Sequence, residues 1–173
     1  MNFNYRELLP EDMDASSRVW IYQSSRLFTI TEAFRIEDML NTFVSSWNSH
    51  GKKVKGFAQL FFGQFILLMA DEQASMVSGC STDSSVRLIK EMESAFQVQL
   101  FDRQMLAFFI KEKVQLLPIS QLTHGAASGI IKPDTLYFNN TVLTKSELET
   151  KWIIPVQKSW LASRFNFPQT AAN

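Results

Sequence analysis

The fold is organised around residues 76–96, which have the sequence MVSGCSTDSSVRLIKEMESAF. The first half of this stretch is small and polar, and it contains the only cysteine of the chain, Cys80. Apolar residues of the second half recur at the spacing of one helical face: Leu88, Ile89, Met92, Ala95 and Phe96. Hydroxyl and carboxylate side chains cap the unpaired amides at the start of a helix. The sequence therefore predicts a polar loop over residues 72–82 and then an amphipathic helix packed on a sheet.

The segment before this stretch carries signals for a strand, a helix and a hairpin. Residues 18–24 are rich in β-branched and aromatic side chains, which predicts a strand. Thr29 and Glu32 have the spacing of a capping box, and the helix that they open is expected to end at Gly51. Two apolar runs, 56–62 and 65–71, are separated by Gly63 and Gln64, which predicts a hairpin of two buried strands.

The segment after it predicts a second hairpin and a helical end. Apolar runs at 105–110 and 114–117 flank a charged turn. The glycines and proline of residues 125–133 predict a loop, a candidate for a lid or linker. A short extended piece follows at 136–138, and Thr144 with Glu147 repeats the capping-box spacing. Pro155 is expected to divide the C-terminal helical region into two short helices that carry Trp152 and Trp160.

This order of elements predicts an α+β fold. Strand, helix, hairpin, helix and strand match a ferredoxin-like βαββαβ core, with an antiparallel sheet and helices mainly on one face. An extra strand and C-terminal helices complete a single domain over residues 18–165. Residues 1–17 form a lead-in, and residues 166–173 form a tail.

Composition excludes several classes of protein. Lys plus Arg (17) equals Asp plus Glu (17), so no overall charge attracts the chain to nucleic acid or to an anionic membrane. No apolar run approaches the ~20 residues that span a bilayer, and the charged N-terminal residues do not resemble a signal peptide. A single cysteine favours a reducing compartment, so we expect a cytoplasmic protein. A chain of 173 residues needs no cofactor for a stable core, and scattered His and Cys residues indicate no metal site.

Cys80 is the leading candidate for a reactive residue. A thiolate near the unpaired amides of a helix start is stabilised, which lowers the pKa of the thiol. A thiol mechanism also needs a base, and His124 is a better candidate than His50, which we expect at a helix end. The alternative is a structural role, in which Cys80 is a small, inert core residue.

The polar residues around Cys80 form a candidate ligand site. Backbone amides and hydroxyl groups at a helix start can hold a small anion. The candidate ligand-binding residues are Ser78, Gly79, Ser81, Thr82, Asp83 and Ser84. Asp83 has an equally simple structural role as a carboxylate that caps the first turn.

Several stretches together resemble one family. They are Arg18-Val-Trp-Ile-Tyr-Gln, Ser78-Gly-Cys-Ser-Thr-Asp-Ser-Ser-Val-Arg, Phe101-Asp-Arg, Asn139-Asn-Thr-Val-Leu-Thr-Lys-Ser-Glu-Leu and Pro155-Val-Gln-Lys-Ser-Trp-Leu. Over about residues 18–165 the chain resembles uncharacterised bacterial proteins that are often labelled "ABC transporter ATPase". The label implies no activity that transfers, because the sequence contains no G-x-x-x-x-G-K-[ST] loop to hold phosphates.

The sequence thus leaves its function open. The preferred hypothesis is a small-ligand-binding or protein-interaction domain that uses residues 78–85. The alternative is a thiol-dependent enzyme or redox-responsive protein that uses Cys80. The fifteen Phe and four Trp residues also permit a homo-oligomer joined through aromatic side chains.

Overall fold

The structure is a computed structural model that describes residues 3–49, 51–72 and 79–165, with side chains described from residue 82 onward in the last range. Its elements in chain order are β1 (Arg18–Gln23), α1 (Ile30–Ser46), β2 (Asn48–Ser49), β3 (Lys52–Lys53), β4 (Gly56–Phe61), β5 (Phe65–Ala70), α2 (Gly79–Phe96), β6 (Met105–Ile110), β7 (Lys113–Pro118), α3 (Leu122–Ala127), β8 (Leu136–Phe138), α4 (Lys145–Lys151) and β9 (Ile153–Pro155). The mixture of helices and antiparallel sheets confirms the α+β class.

Contacts divide the chain into two compact units. Of the described residues, the first unit contains those between 3 and 102 together with 140–149, and the second contains 103–139 and 150–165. The predicted domain boundaries at residues 18 and 165 stay predictions. Each unit has a sheet of its own and is described separately.

The first unit is built on a three-stranded sheet in which β5 lies between β1 and β4, antiparallel to both. All six residues of β5 are buried, as expected for a central strand that is covered on both faces. Both long helices pack on one face, where Ile36 and Leu40 of α1 and Ile89 and Met92 of α2 share a core with Ile66. Apolar residues at helical spacing thus place α1 and α2 side by side on the sheet.

This sheet contains only part of the predicted ferredoxin-like core. The order β1, α1, β4, β5 and α2 agrees with the prediction, but the next strand, β6, pairs with β7 and β8 in the second unit. The edge of β1 that does not pair with β5 contacts residues 143–144 instead. The Val19 amide donates to the Leu143 carbonyl (2.9 Å), and Arg18 and Thr144 form an isolated antiparallel β-bridge. The ferredoxin-like detail is therefore not confirmed.

The start of α1 was predicted correctly, but its end was not. The Glu32 amide donates to the Thr29 hydroxyl (3.2 Å), and the Thr29 amide donates to the Glu32 carboxylate (2.8 Å), as in a capping box. The helix ends at Ser46, because Trp47 turns away from the helix with an extended backbone and is buried. Gly51, with φ of +77°, lies between the short strands β2 and β3, and His50 lies outside the described residues.

The lead-in of the chain packs on the first unit. Tyr5, Leu9 and Met13 are buried, and the Tyr5 hydroxyl donates to the Leu148 carbonyl of α4 (2.8 Å). The buried Lys145 ammonium donates to the Met13 carbonyl (3.1 Å). These contacts anchor residues 3–17, so the lead-in is an ordered part of the fold.

The second unit is built on a four-stranded antiparallel sheet in the order β7, β6, β8, β9. The predicted hairpin of β6 and β7 is confirmed, and its turn places Lys111 and Glu112 at positive φ (51° and 61°). Phe108, Leu122, Ile131 and Tyr137 belong to its core. Burial raises the pKa of Tyr137 to about 12.

Two predictions in the second unit were only partly correct. Residues 125–127 belong to α3, and the predicted loop is confined to residues 128–133, where Gly129 has φ of +71° and Ile131 is buried. Pro155 ends the strand β9, which was not predicted, and lies between α4 and the 3₁₀ helices Val156–Lys158 and Trp160–Arg164. Trp152 follows α4 and is fully buried against Phe138. Trp160, on a 3₁₀ turn, remains 42% exposed.

Candidate functional site

The candidate site is a groove in the first unit, between α1 and α2. It encloses a volume of about 550 Å³, within the usual range for small-molecule sites. From α1 it is lined by Asp38, Met39, Thr42, Phe43 and Ser46, from the next segment by Trp47 and Asn48, and from α2 by Ser84, Arg87, Leu88 and Glu91. We refer to this set as the interhelical groove.

Helical spacing explains why these residues meet. On α2, positions 84, 87, 88 and 91 follow the i, i+3, i+4, i+7 pattern of one face. The faces of α1 and α2 that point down onto the sheet carry Leu40 and Ile89, both fully buried. The groove residues lie beside these core residues, on the sides of the two helices that face each other.

The floor of the interhelical groove is apolar and aromatic. Met39 and Phe43 are partly buried against the core of the sheet. The ring centroids of Phe43 and Trp47 are 4.8 Å apart, and Trp47 lies 6.2 Å from Trp20. Gly56 makes room for Trp47, because a Cβ at position 56 would lie 2.6 Å from an atom of the indole ring. A rigid aromatic floor of this kind suits the apolar part of a ligand.

The rim of the groove is charged. Asp38, Arg87 and Glu91 are exposed there, so carboxylates lie on both helices and one guanidinium lies on α2. Within the described residues, Arg87 makes no hydrogen bond or ion pair. The Ser46 hydroxyl donates to the Thr42 carbonyl (3.0 Å), and the Asn48 side-chain amide donates to the Ser46 carbonyl (2.8 Å). None of the described residues therefore occupies the N–H donors of Arg87.

Helix α2 begins earlier than predicted. It begins at Gly79, so Thr82 lies within it and not in the predicted loop over residues 72–82, whereas Asp83 and Ser84 lie in the helix that was expected there. Asp83 is exposed, and Ser84 lines the groove. The Thr82 carbonyl accepts a hydrogen bond from the buried Ser85 hydroxyl (2.7 Å), which is a contact within the helix. Of the predicted residues whose side chains the structure describes, only Ser84 lines the interhelical groove.

The remaining candidates at this helix start are only partly described. Gly79, Cys80 and Ser81 form the first turn of α2, but their side chains lie outside the described residues, as does all of Ser78. Their predicted roles in ligand binding and thiol chemistry stay predictions.

His124 lies in the second unit, whereas Cys80 lies in the first. It is exposed on α3, and its carbonyl accepts hydrogen bonds from the amide and hydroxyl of Ser128 (both 2.9 Å). These hydrogen bonds close the C-terminal end of α3, which gives His124 a structural role there. The predicted partnership of His124 with Cys80 stays a prediction.

Sequence reasoning missed most of the groove. Leu88 was predicted only to face the core, and Arg87 and Glu91 were not assigned to any site. Their spacing of three and four residues was visible, but nothing in the sequence showed that this edge of α2 would face Met39 and Phe43 of α1.

The pKa values that shift most lie outside the groove and have structural causes. A hydrogen bond from Arg26, with a further one from the Thr29 amide, lowers the pKa of Glu32 to about 2. Tyr137 is the second such group, and its pKa is raised by burial in the second unit. Strong shifts often mark catalytic groups, but here they mark a helix cap and a core side chain.

Neither a metal cluster nor a membrane span is found in the part of the chain that the structure describes. No group of three or more His, Cys, Asp or Glu residues is arranged to hold a metal ion there. None of the described helices combines the length and apolar character needed to cross a bilayer.

Comparisons with protein-family models, with curated proteins and with solved structures found no match to this chain. We therefore infer a function from the geometry and chemistry of the groove alone.

Proposed function

We propose that this chain is a non-enzymatic binding protein for small amphipathic molecules, with the interhelical groove as its binding site. The observation that carries the proposal is an apolar floor of Met39, Phe43 and Leu88 beneath a rim that bears both signs of charge. The predicted role of residues 78–85 in ligand binding is retained at Ser84, which lines the groove.

The charges at the rim favour a zwitterionic ligand. Arg87 supplies planar N–H donors that suit a carboxylate. Asp38 and Glu91 accept hydrogen bonds from an ammonium or amide group. The two carboxylates at the rim would repel a ligand that carries only a negative charge. Arg87 would repel a ligand that carries only a positive charge.

The residues that line the groove favour binding over catalysis. None of the described residues that line it is His, Cys or Lys, the side chains that most often act as base or nucleophile near neutral pH. The Ser46 hydroxyl donates to carbonyls of its own helix. The thiol-dependent alternative concerns Cys80, which lies at the start of α2, and it is tested separately below.

Thermal unfolding with three related probes tests this proposal. The three probes share a phenyl ring and differ in charge. Phenylalanine carries both charges, 3-phenylpropionate carries only the negative charge, and phenethylamine carries only the positive charge. At ten times its Kd, a ligand adds about 1.4 kcal/mol to the free energy of unfolding. For a chain of this size this raises Tm by about 3–5 °C. We expect the largest rise with phenylalanine.

Matched variants locate the effect in the groove. Arg87→Gln should reduce the rise, whereas Lys90→Gln, which removes a charge from an exposed position of the same helix, should not. Thr42→Trp should fill the groove and abolish the rise, whereas Ser45→Trp, at an exposed position outside the groove, should preserve it. Equal shifts with all three probes, or equal losses in each variant and its control, would overturn the proposal.

A further inference from the structure

The second unit contains a hollow that differs from the interhelical groove in the sign of its charge. Its volume is about 530 Å³, and its floor and walls include Phe109, Ile110 and Ile130. Of the described residues that line it, Lys111 and Lys132 are the charged ones, and none is acidic. We call it the lysine hollow.

From this arrangement we infer that the lysine hollow is a second binding site, for an amphipathic carboxylate with an apolar tail. The apolar walls exclude water from the tail, and the two ammonium groups hold the carboxylate at the mouth. The inference is independent of the proposed function, because no residue is shared between the two sites.

The polar contacts in the lysine hollow leave the ammonium groups for a ligand. The Gln115 side-chain amide donates to the Ile110 carbonyl (3.3 Å), and the Ser128 hydroxyl donates to the His124 carbonyl (2.9 Å). The Thr135 hydroxyl accepts from the Lys132 amide (2.8 Å). Among the residues that the structure describes, neither lysine ammonium group has a hydrogen bond or ion pair. The acids that neighbour these lysines in sequence, Glu112 and Asp134, do not line the hollow.

Lys111 has a backbone conformation that is unusual for a lysine. Lys111 and Glu112 both have positive φ, which a two-residue hairpin turn requires and which Asn-Gly adopts at lower cost. A lysine at this position is therefore a poor choice for the turn alone. It does place Lys111 in the lining of the hollow.

Titration with octanoate, followed through backbone amide chemical shifts, tests the inference. Octanoate has ten non-hydrogen atoms, and ordinary ligand efficiency predicts a Kd of about 1 mM. We expect saturable shifts at Ile110, Gly129 and Ile130. Octanamide, which has the same tail but no charge, should bind about tenfold more weakly because it cannot form charge-assisted hydrogen bonds with both lysines.

Two variants and one control isolate the lysines. Lys111→Asn fits the turn at least as well as lysine, so a weaker affinity cannot be attributed to loss of the fold. Lys111→Asn and Lys132→Gln should each weaken octanoate binding about three- to fivefold. Lys113→Gln, which removes an exposed charge at the start of β7 outside the hollow, should leave it unchanged.

Two results would overturn the inference. One is equal binding of octanoate and octanamide, and the other is the absence of saturable shifts at Ile110 and Ile130 up to ten times the expected Kd. Shifts at Ser84 and Leu88, measured in the same spectra, report on the interhelical groove, so the two sites succeed or fail separately.

Discussion

At the scale of single residues, Glu32 links the sequence of α1 to a measurable pH dependence. Its carboxylate accepts hydrogen bonds from the Thr29 amide and from both terminal nitrogens of Arg26 (all 2.8 Å). These bonds stabilise the ionised form in the folded protein. The pKa of Glu32 consequently falls from 4.5 to about 2 on folding.

A carboxyl group whose pKa falls on folding stabilises the protein fully above its unfolded pKa, and the contribution is lost as the pH falls toward the folded pKa. We predict that Glu32→Gln lowers stability at pH 6 and removes the part of the pH dependence that lies between about 4.5 and about 2. Urea unfolding across this range measures it. Glu37→Gln, at an exposed position of the same helix, is the control, and an identical pH profile for both variants would contradict the prediction.

Cys80 is the second residue of α2, and this position predicts its reactivity. Amides at a helix start stabilise a thiolate, so the apparent pKa from alkylation rates should lie below the usual value of about 8.5. The control is Cys80→Ser combined with Ser94→Cys, because Ser94 is exposed in the last turns of the same helix. Equal pKa values at positions 80 and 94 would remove the basis of the thiol-dependent hypothesis.

At the scale of secondary structure, the contact of Trp47 with β4 determines how the end of α1 meets the sheet. A methyl group at Gly56 would overlap the indole ring, which is buried and cannot move aside. We predict that Gly56→Ala lowers the free energy of unfolding by about 1–3 kcal/mol, the usual cost of overpacking a core. Chemical denaturation measures the loss.

A second background separates this overlap from the loss of glycine itself. In Trp47→Phe, where the ring is smaller, the same change at Gly56 should cost less. An equal cost in both backgrounds would show that contact with the indole ring is not the cause.

Most helices and strands could be predicted from the sequence because the residue patterns that mark them are local. The capping box at Thr29, the buried run of β5 and the hairpin of β6 and β7 each depend on residues close together in the chain. The end of α1 was missed because the burial of Trp47 is a tertiary contact that no local pattern records. Pro155 was assigned to a helix break because a proline at the end of a strand gives the same local signal.

At the scale of the whole molecule, the sheets were harder to predict than the elements. Strand β6 follows α2 as the ferredoxin-like pattern requires, yet it pairs with β8, which lies more than twenty residues further along. Partner choice depends on long-range packing, which element order does not determine. The interhelical groove was missed for the same reason, since it exists only where α1 and α2 lie side by side.

The two candidate sites lie in different units and carry opposite charge at their mouths. The interhelical groove has two carboxylates and one guanidinium, and the lysine hollow has two ammonium groups. A formal net charge of zero for the whole chain conceals this difference. The molecule is thus better described by its local fields than by its total charge.

The central claim is that the interhelical groove binds a small zwitterionic ligand. The most direct test is the chemical shift of each backbone amide during titration with phenylalanine. We expect saturable shifts at Met39, Thr42, Ser84 and Arg87 with a single Kd, and a higher Kd in Arg87→Gln. Shifts confined to other residues, or no saturation at these four, would contradict it.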